Sequence, residues 1–343
     1  MSLSPKERLL DTLAKKKVDR PPVVCTGGMM NAAIVDVMNR TGHTLPEGHF
    51  RSDLMAELAT DVNQDTGFEN FGIPFCMTVE AEVLGSEIDF GTLACEPKIA
   101  REPFATNAQV QFRDIDKLLD SGRIRQVAEA ALLLSRSNPD VPVIGSITGP
   151  VSTAASIVDP MNFLKELHKK REDSHRVLDY VSDFLISFAR LLVDGGASAI
   201  CIGDPTATGE ILGPRMFQEY AVTYLNKVID GIHATGVPVL VHICGEMKAV
   251  KSSIPQLHSD AISTDAFVNL KALKEEYPQL TTMGNLSTFL LELGEPDKVS
   301  RHTAGLVRDG IDIISPACGL STASSILNIQ AMTQTVKDGG RGW

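Results

Sequence analysis

A chain of 343 residues, 43% hydrophobic and 22% charged with mean hydropathy close to zero, can bury a large core and does not have the composition of a disordered segment. Its formal charge of −11, with basic residues scattered rather than blocked, repels phosphate backbones and anionic lipid, which argues against nucleic acid or a membrane surface as partner. Six cysteines without a secretory leader fit reduced thiols or metal ligands better than a disulfide framework, so the cytoplasm is the expected compartment.

The first segment, MSLSPKERLLDTLAKKK, carries charges inside an apolar pattern and reads as a short amphipathic helix. No stretch reaches the ~20 consecutive apolar residues that span a bilayer. PPVVCTG (21–27) is a candidate strand. Residues 28–66 read as helix and loop capping a barrel mouth, and residues 67–97, which mix apolar runs with glycine, as a strand plus a hairpin or loop insertion. From about residue 139 onward, β-rich runs at 141–148, 197–204, 238–244, 261–265, 281–286 and 311–318 alternate with helical patterns. Two of those patterns, 177–196 and 216–236, close on glycine. Such alternation is the mark of parallel βαβ units. It predicts an α/β fold: a (β/α)8 TIM barrel with an N-terminal helical and loop elaboration over its mouth, forming one domain over residues 1–343.

Polar residues close nearly every proposed strand: Thr148, Asp204, His242 with Cys244, Asp265, Asn285 and Cys318. That end of a barrel carries the active site, although Asp and Asn also cap the helices that follow. In VLVHICG (239–245), His242 and Cys244 stand two apart on a strand and project to one side. Cys318 ends the last strand in SPACG, and glycine follows each cysteine. One imidazole and two thiolates with an open fourth position make a catalytic zinc arrangement, and thiolate ligands suit magnesium or calcium badly. A packed histidine beside buried thiols accounts for the same letters, and composition and spacing do not separate the two readings.

The motifs VHICG (241–245), GNLS (284–287) and DIISPACG (312–319) resemble those of the methylcobamide:coenzyme M methyltransferases, corrinoid-dependent members of the uroporphyrinogen decarboxylase superfamily. The likeness extends upstream through KERLLDTLAKKKVDRPPV (6–23), LPEGHFRSDLMAELA (45–59), GIPFCMTVEAEVLGSEIDFGT (72–92), VIGSITGPVSTAA (143–155) and CIGDPTA (201–207). The resemblance implies Zn2+ on His242, Cys244 and Cys318. It implies that the metal lowers the pKa of a small thiol acceptor, such as coenzyme M, and presents it to a methylcobamide carried by a separate methylated corrinoid protein. Zinc with two thiolates and a neutral imidazole is formally neutral, so a third thiolate makes the centre anionic and more nucleophilic, which suits methyl transfer better than hydrolysis.

The same resemblance places an acidic residue near the metal at Asp265, as a fourth ligand that substrate displaces or as a partner of the ligands. It marks Glu82 and His49, in the elaboration over the mouth, as candidates to orient the acceptor. Asp204, in GDP (203–205), is equally a helix cap and a catalytic carboxylate. Three alternatives stand beside this reading: a uroporphyrinogen decarboxylase-type lyase, a binding module without activity, and a methyltransferase with another acceptor such as a different thiol or tetrahydrofolate. The arginine-free PPVVCTGGMMNAA (21–33) argues against the first. No Asp-x-His-x-x-Gly segment is present, so the corrinoid is not expected to be held tightly by this chain.

Overall fold

Six parallel strands in the computed structural model, which describes residues 3–340, follow one another without a swap in order: Phe71–Ile73, Val143–Thr148, Ala199–Gly203, Val239–Ile243, Ala261–Thr264 and Thr282–Met283. The ends of this sheet are drawn together by two irregular segments. Ile313 bridges Met283, and its neighbour Ile314 bridges Val23, both in parallel sense. On the other side, the Glu69 N–H donates to the Val23 carbonyl at 2.9 Å. The Asn70 side-chain amide stands in for a strand neighbour, accepting from the Cys25 N–H and donating to its carbonyl, each at 2.9 Å. The ring of barrel positions is thus complete, but no uninterrupted ladder closes it.

The reasons for these gaps are local. Pro21 and Pro22 have no N–H to contribute at the expected first strand, and Gly27 leaves extended geometry with φ +88°. At 281–286 the ladder stops after Met283 because Gly284 turns with φ +135°, and it resumes only where the Leu286 N–H reaches the Ser315 carbonyl. The expected strand at 311–318 is accordingly a run of single bridges. The remaining strands fall within their expected spans.

Burial separates an inner core from an outer one. Val24, Ile144, Ala199, Cys201, Leu240, Ala261, Met283 and Ile313 pack together inside the ring, one or two from each barrel segment except Phe71–Ile73, as period-2 alternation requires. Leu9 and Leu13 of the helix Pro5–Leu13 join this inner cluster, so the amphipathic N-terminal helix plugs the end of the barrel opposite the strand termini that carry chemistry. Ser4 caps it in a reciprocal box with Glu7. The outer core lies between strands and helices, where the long helix Arg171–Asp194 presents Val177, Val181, Phe184, Leu185 and Phe188 to the sheet.

Two expectations need correction. Residues 28–66 do not all cover the mouth: the helix Ser52–Thr66 packs on the helices Ile124–Ser137 and Ile326–Lys337 in the outer ring. It goes there because Met55, Leu58, Ala59 and Val62 form one apolar stripe. The helical pattern 216–236 is also not one regular helix. A turn from Gly209 to Met216 bends at Gly213 and Pro214, a π-helical stretch runs Phe217–Val222, and an α-helix follows over Thr223–His233. The insertion at 67–97 does hold both a strand, Phe71–Ile73, and the start of an antiparallel hairpin, Glu87–Asp89 with Lys98–Arg101. Among the described residues no helix is long and apolar enough to cross a membrane.

Candidate metal centre

His242 is inward-facing by parity with Leu240, one pleat closer to the mouth, and is fully buried. Its Nε2 lies 3.2 Å from Cys244 Sγ, and Cys244 Sγ lies 3.6 Å from Cys318 Sγ. All three donor atoms fall within 4.8 Å of one another. A tetrahedral zinc with bonds of about 2.3 Å to sulfur sets two thiolates about 3.8 Å apart, close to the spacing of the Cys244 and Cys318 sulfurs. Gly245, with φ +71°, turns the chain sharply after Cys244, and a Cβ there would meet Glu210 Oε2 at 2.6 Å.

The parallel register puts Ser263 directly beside His242. His242 Nδ1 lies 2.9 Å from Ser263 Oγ, and because the Ser263 hydroxyl is directed to Met30 Sδ, the pairing that satisfies both has the proton on Nδ1. That bond leaves Nε2 as the lone-pair nitrogen facing the thiols. The two sulfurs are hydrogen-bonded to each other, and either thiol can be the donor. A soft cation requires both as thiolates, so metal binding releases the protons they carry. Ser263→Ala is expected to weaken metal affinity ~10–100-fold, the usual cost of losing such an outer partner. Competition against a chromophoric chelator measures this, and unchanged affinity would show that Ser263 does not orient the ring.

The other sequence candidates occupy distinct places. Asp265, just past Ala261–Thr264, accepts from the Gly245 N–H at 3.4 Å and from the Phe267 N–H at 3.4 Å. It thus touches the ligand loop rather than joining the three-atom cluster. Asp204 is completely buried. Its oxygens accept from the Val151 N–H (3.1 Å), the Ser152 N–H (2.8 Å) and the Ser152 hydroxyl (2.6 Å) at the start of the helix Pro150–Ala155. Burial nevertheless pushes its pKa up to about 6. These bonds cap Pro150–Ala155, a helix earlier in the chain, while the helix that follows Asp204 is capped by Thr208. Glu82 accepts from Arg123 Nε. His49 is 1% exposed with neither ring nitrogen hydrogen-bonded, and burial, then the nearby Arg123, holds its pKa down to about 4.

Several residues of the mouth escaped the sequence reading. Met29 lies with Sδ 3.9 Å from Cys244 Sγ, in the segment expected only to cap the mouth. Asn31 donates to Glu96 Oε1 at 2.8 Å, and the Ala94 carbonyl accepts from Thr322 Oγ1, so the hairpin tip closes over the loop after Cys318. Ser263 alone had a usable signal: it shares the inward parity of its strand, one register step from His242.

Glu80 is completely buried beside Thr148, whose N–H and hydroxyl donate to it. Burial raises its pKa from the ordinary 4.5 to about 7. A carboxyl with a raised folded-state pKa binds its proton more tightly when folded, so ionising it between about pH 4.5 and pH 7 costs stability, of order 3 kcal/mol. Glu80→Gln is therefore expected to be more stable than the parent at pH 8, with the gap closing towards pH 5. Urea midpoints at the two pH values test this, and a gap independent of pH would contradict it.

Residues 4–339 match the family model described as Uroporphyrinogen decarboxylase (URO-D). A protein named methylcobamide:CoM methyltransferase MtbA from Methanosarcina acetivorans is 32% identical over 98% of both chains. One named methylcobamide:CoM methyltransferase MtaA from Methanosarcina barkeri is 31% identical over 95% of this chain and 96% of its own. A solved methyltransferase from Methanosarcina mazei superposes with a TM-score of 0.92 at 29% identity, covering 98% of this chain and 99% of its own.

Proposed function

The chain belongs to the uroporphyrinogen decarboxylase family, and from that premise we propose that it is a zinc-dependent methyltransferase that moves a methyl group from a protein-bound methylcobamide to a small thiol. The observation that carries the reading is the convergence of His242 Nε2, Cys244 Sγ and Cys318 Sγ at the mouth of the barrel, at the spacing of a tetrahedral zinc with a vertex left for substrate. Bound there, zinc would supply the Lewis acidity that strips the proton from an acceptor thiol near neutral pH.

The protein's own groups supply the rest. Ser263 fixes the His242 tautomer, and Asp265 holds the ligand loop through Gly245. Met29 crowds Cys244 with an apolar thioether, which favours a sulfur nucleophile over water. Glu82 and His49 orient the acceptor from the elaboration, with Arg123 positioning Glu82. Asp204 contributes by fixing the segment between two barrel strands. The acceptor sulfur attacks the methyl carbon in line. The carbon–cobalt bond breaks with both electrons passing to cobalt, a methyl thioether forms, and the reduced corrinoid stays with its carrier protein. This reading implies a cytoplasmic setting, where the six cysteines remain thiols.

A decarboxylase reading leaves the metal-ligand cluster without a role. The test is spectroscopic: methylcobalamin should lose its methyl group in the presence of zinc-loaded protein and a thiol, with the methylated thiol recovered in equal amount. Demethylation without thiol dependence would sink the proposal.

A further inference from the structure

The charged groups around the metal-ligand loops are mainly carboxylates. Asp265 bonds the Gly245 N–H, and Glu210 packs against Gly245. Glu96 hangs from the hairpin tip, accessible to solvent yet crowded by protein, close enough to Cys318 and His49 to interact electrostatically with both. Its carboxylate is fixed by Asn31, which also donates to the Gly28 carbonyl and sits two residues from Met29 beside Cys244. The buried cation of this region is committed elsewhere: Arg123 donates to Glu82, to Cys76 Sγ and to Thr78 Oγ1, and lies over the Phe90 ring. Lys248 lines a separate hollow with Met247, Phe267 and Leu273. Beside Glu96, the His49 imidazole is buried with both nitrogens unpartnered, a neutral polar group rather than a second cation.

A sulfonate or carboxylate on the acceptor would enter this surround against its charge, and the buried guanidinium described near it, that of Arg123, is already engaged. We propose that Glu96, held by Asn31, is a specificity-determining residue that selects an acceptor thiol with a cationic or uncharged tail over one with an anionic tail. The inference rests on the thiol-methylation reading and narrows it: the acceptor differs in charge from the coenzyme M in the relatives' names. Two opposite unit charges at this range differ from two like ones by enough to produce a preference of about tenfold.

The experiment uses zinc-loaded full-length protein and three thiols that share an ethyl spacer: 2-mercaptoethyltrimethylammonium, 2-mercaptoethanol and 2-mercaptoethanesulfonate. Calorimetric Kd values and methylcobalamin demethylation rates are measured for the parent and for Glu96→Gln, with zinc content and thermal midpoint confirming that the variant is folded and loaded. Comparing parent with variant cancels differences in the intrinsic acidity of the thiols. The expected result is preference for the cationic thiol in the parent, with the cation-to-sulfonate ratio falling about tenfold in the variant. Preference for the sulfonate in the parent, or a ratio unmoved by Glu96→Gln, overturns this inference and leaves the transferase reading standing. Failure of all three thiols to bind or be methylated overturns both.

Discussion

Replacing Cys244 by alanine is expected to empty the metal centre and end methyl transfer. The variant keeps His242 and Cys318 but loses the sulfur that lies 3.2 Å from one and 3.6 Å from the other, leaving two donors where a tetrahedral ion needs three from the protein. The loss should far exceed the ~10–100-fold attached to an outer-shell partner such as Ser263. Cys244 is half-buried at a strand end and contributes little to either core, so the fold should persist. Elemental analysis and methylcobalamin demethylation read the two effects together. A Cys244→Ala protein that retains one zinc per chain and full activity would show that the metal is held elsewhere.

The largest loss of stability is expected far from the site, at Glu69. Its carboxylate is 5% exposed and accepts from Arg8 Nη1 at 2.9 Å and from both terminal nitrogens of Arg20, and from the Val23 N–H at 3.1 Å. One side chain thus joins the N-terminal plug, the first barrel segment and the chain leading into Phe71–Ile73. Asp19 shares the load on Arg8, whose guanidinium holds the Asp19 pKa down to about 2. Glu69→Ala leaves Arg8, 3% exposed, without its inner counter-charge and the Val23 N–H without an acceptor. Breaking a buried pair from one side costs about 3–5 kcal/mol. That corresponds to a fall in Tm of roughly 5 °C for a chain of this size. Calorimetry decides it, and a fall within 1 °C or so would mean that the two arginines find solvent when released.

Much of the fold was legible because the barrel is built by repetition. Runs such as VPVIGSIT and PVLVHIC are apolar on both faces, and each is followed by a helical stripe. The first and last barrel positions were harder. There the pairing depends on the Asn70 side chain and on single bridges, and Pro21, Pro22 and Gly284 interrupt the pattern from which a strand is read. The helix Ser52–Thr66 was misplaced over the mouth because its stripe declares amphipathicity without saying which surface receives it.

The site divides along the same line. His242 and Cys244 share a face by strand parity alone, and Cys318 is brought to them by the closure of the barrel, which no local pattern contains. Apart from His49 and Glu82, residues contributed from outside the strands were invisible. Glu96, Asn31 and Met29 come from loops whose path over the mouth is fixed by contacts such as Thr322 with Ala94. Asp204 shows the converse case: the strand end was legible, but both its carboxylate oxygens are taken by the N-terminus of Pro150–Ala155, a helix that precedes it in the chain.

X-ray absorption at the zinc edge, recorded on the protein with and without acceptor thiol, reads the metal's ligands themselves. One nitrogen and two sulfur neighbours are expected in the resting protein, the sulfurs at about 2.3 Å, and a third sulfur once thiol is added. A shell that lacks the two sulfurs, or one that thiol leaves unchanged, would contradict it.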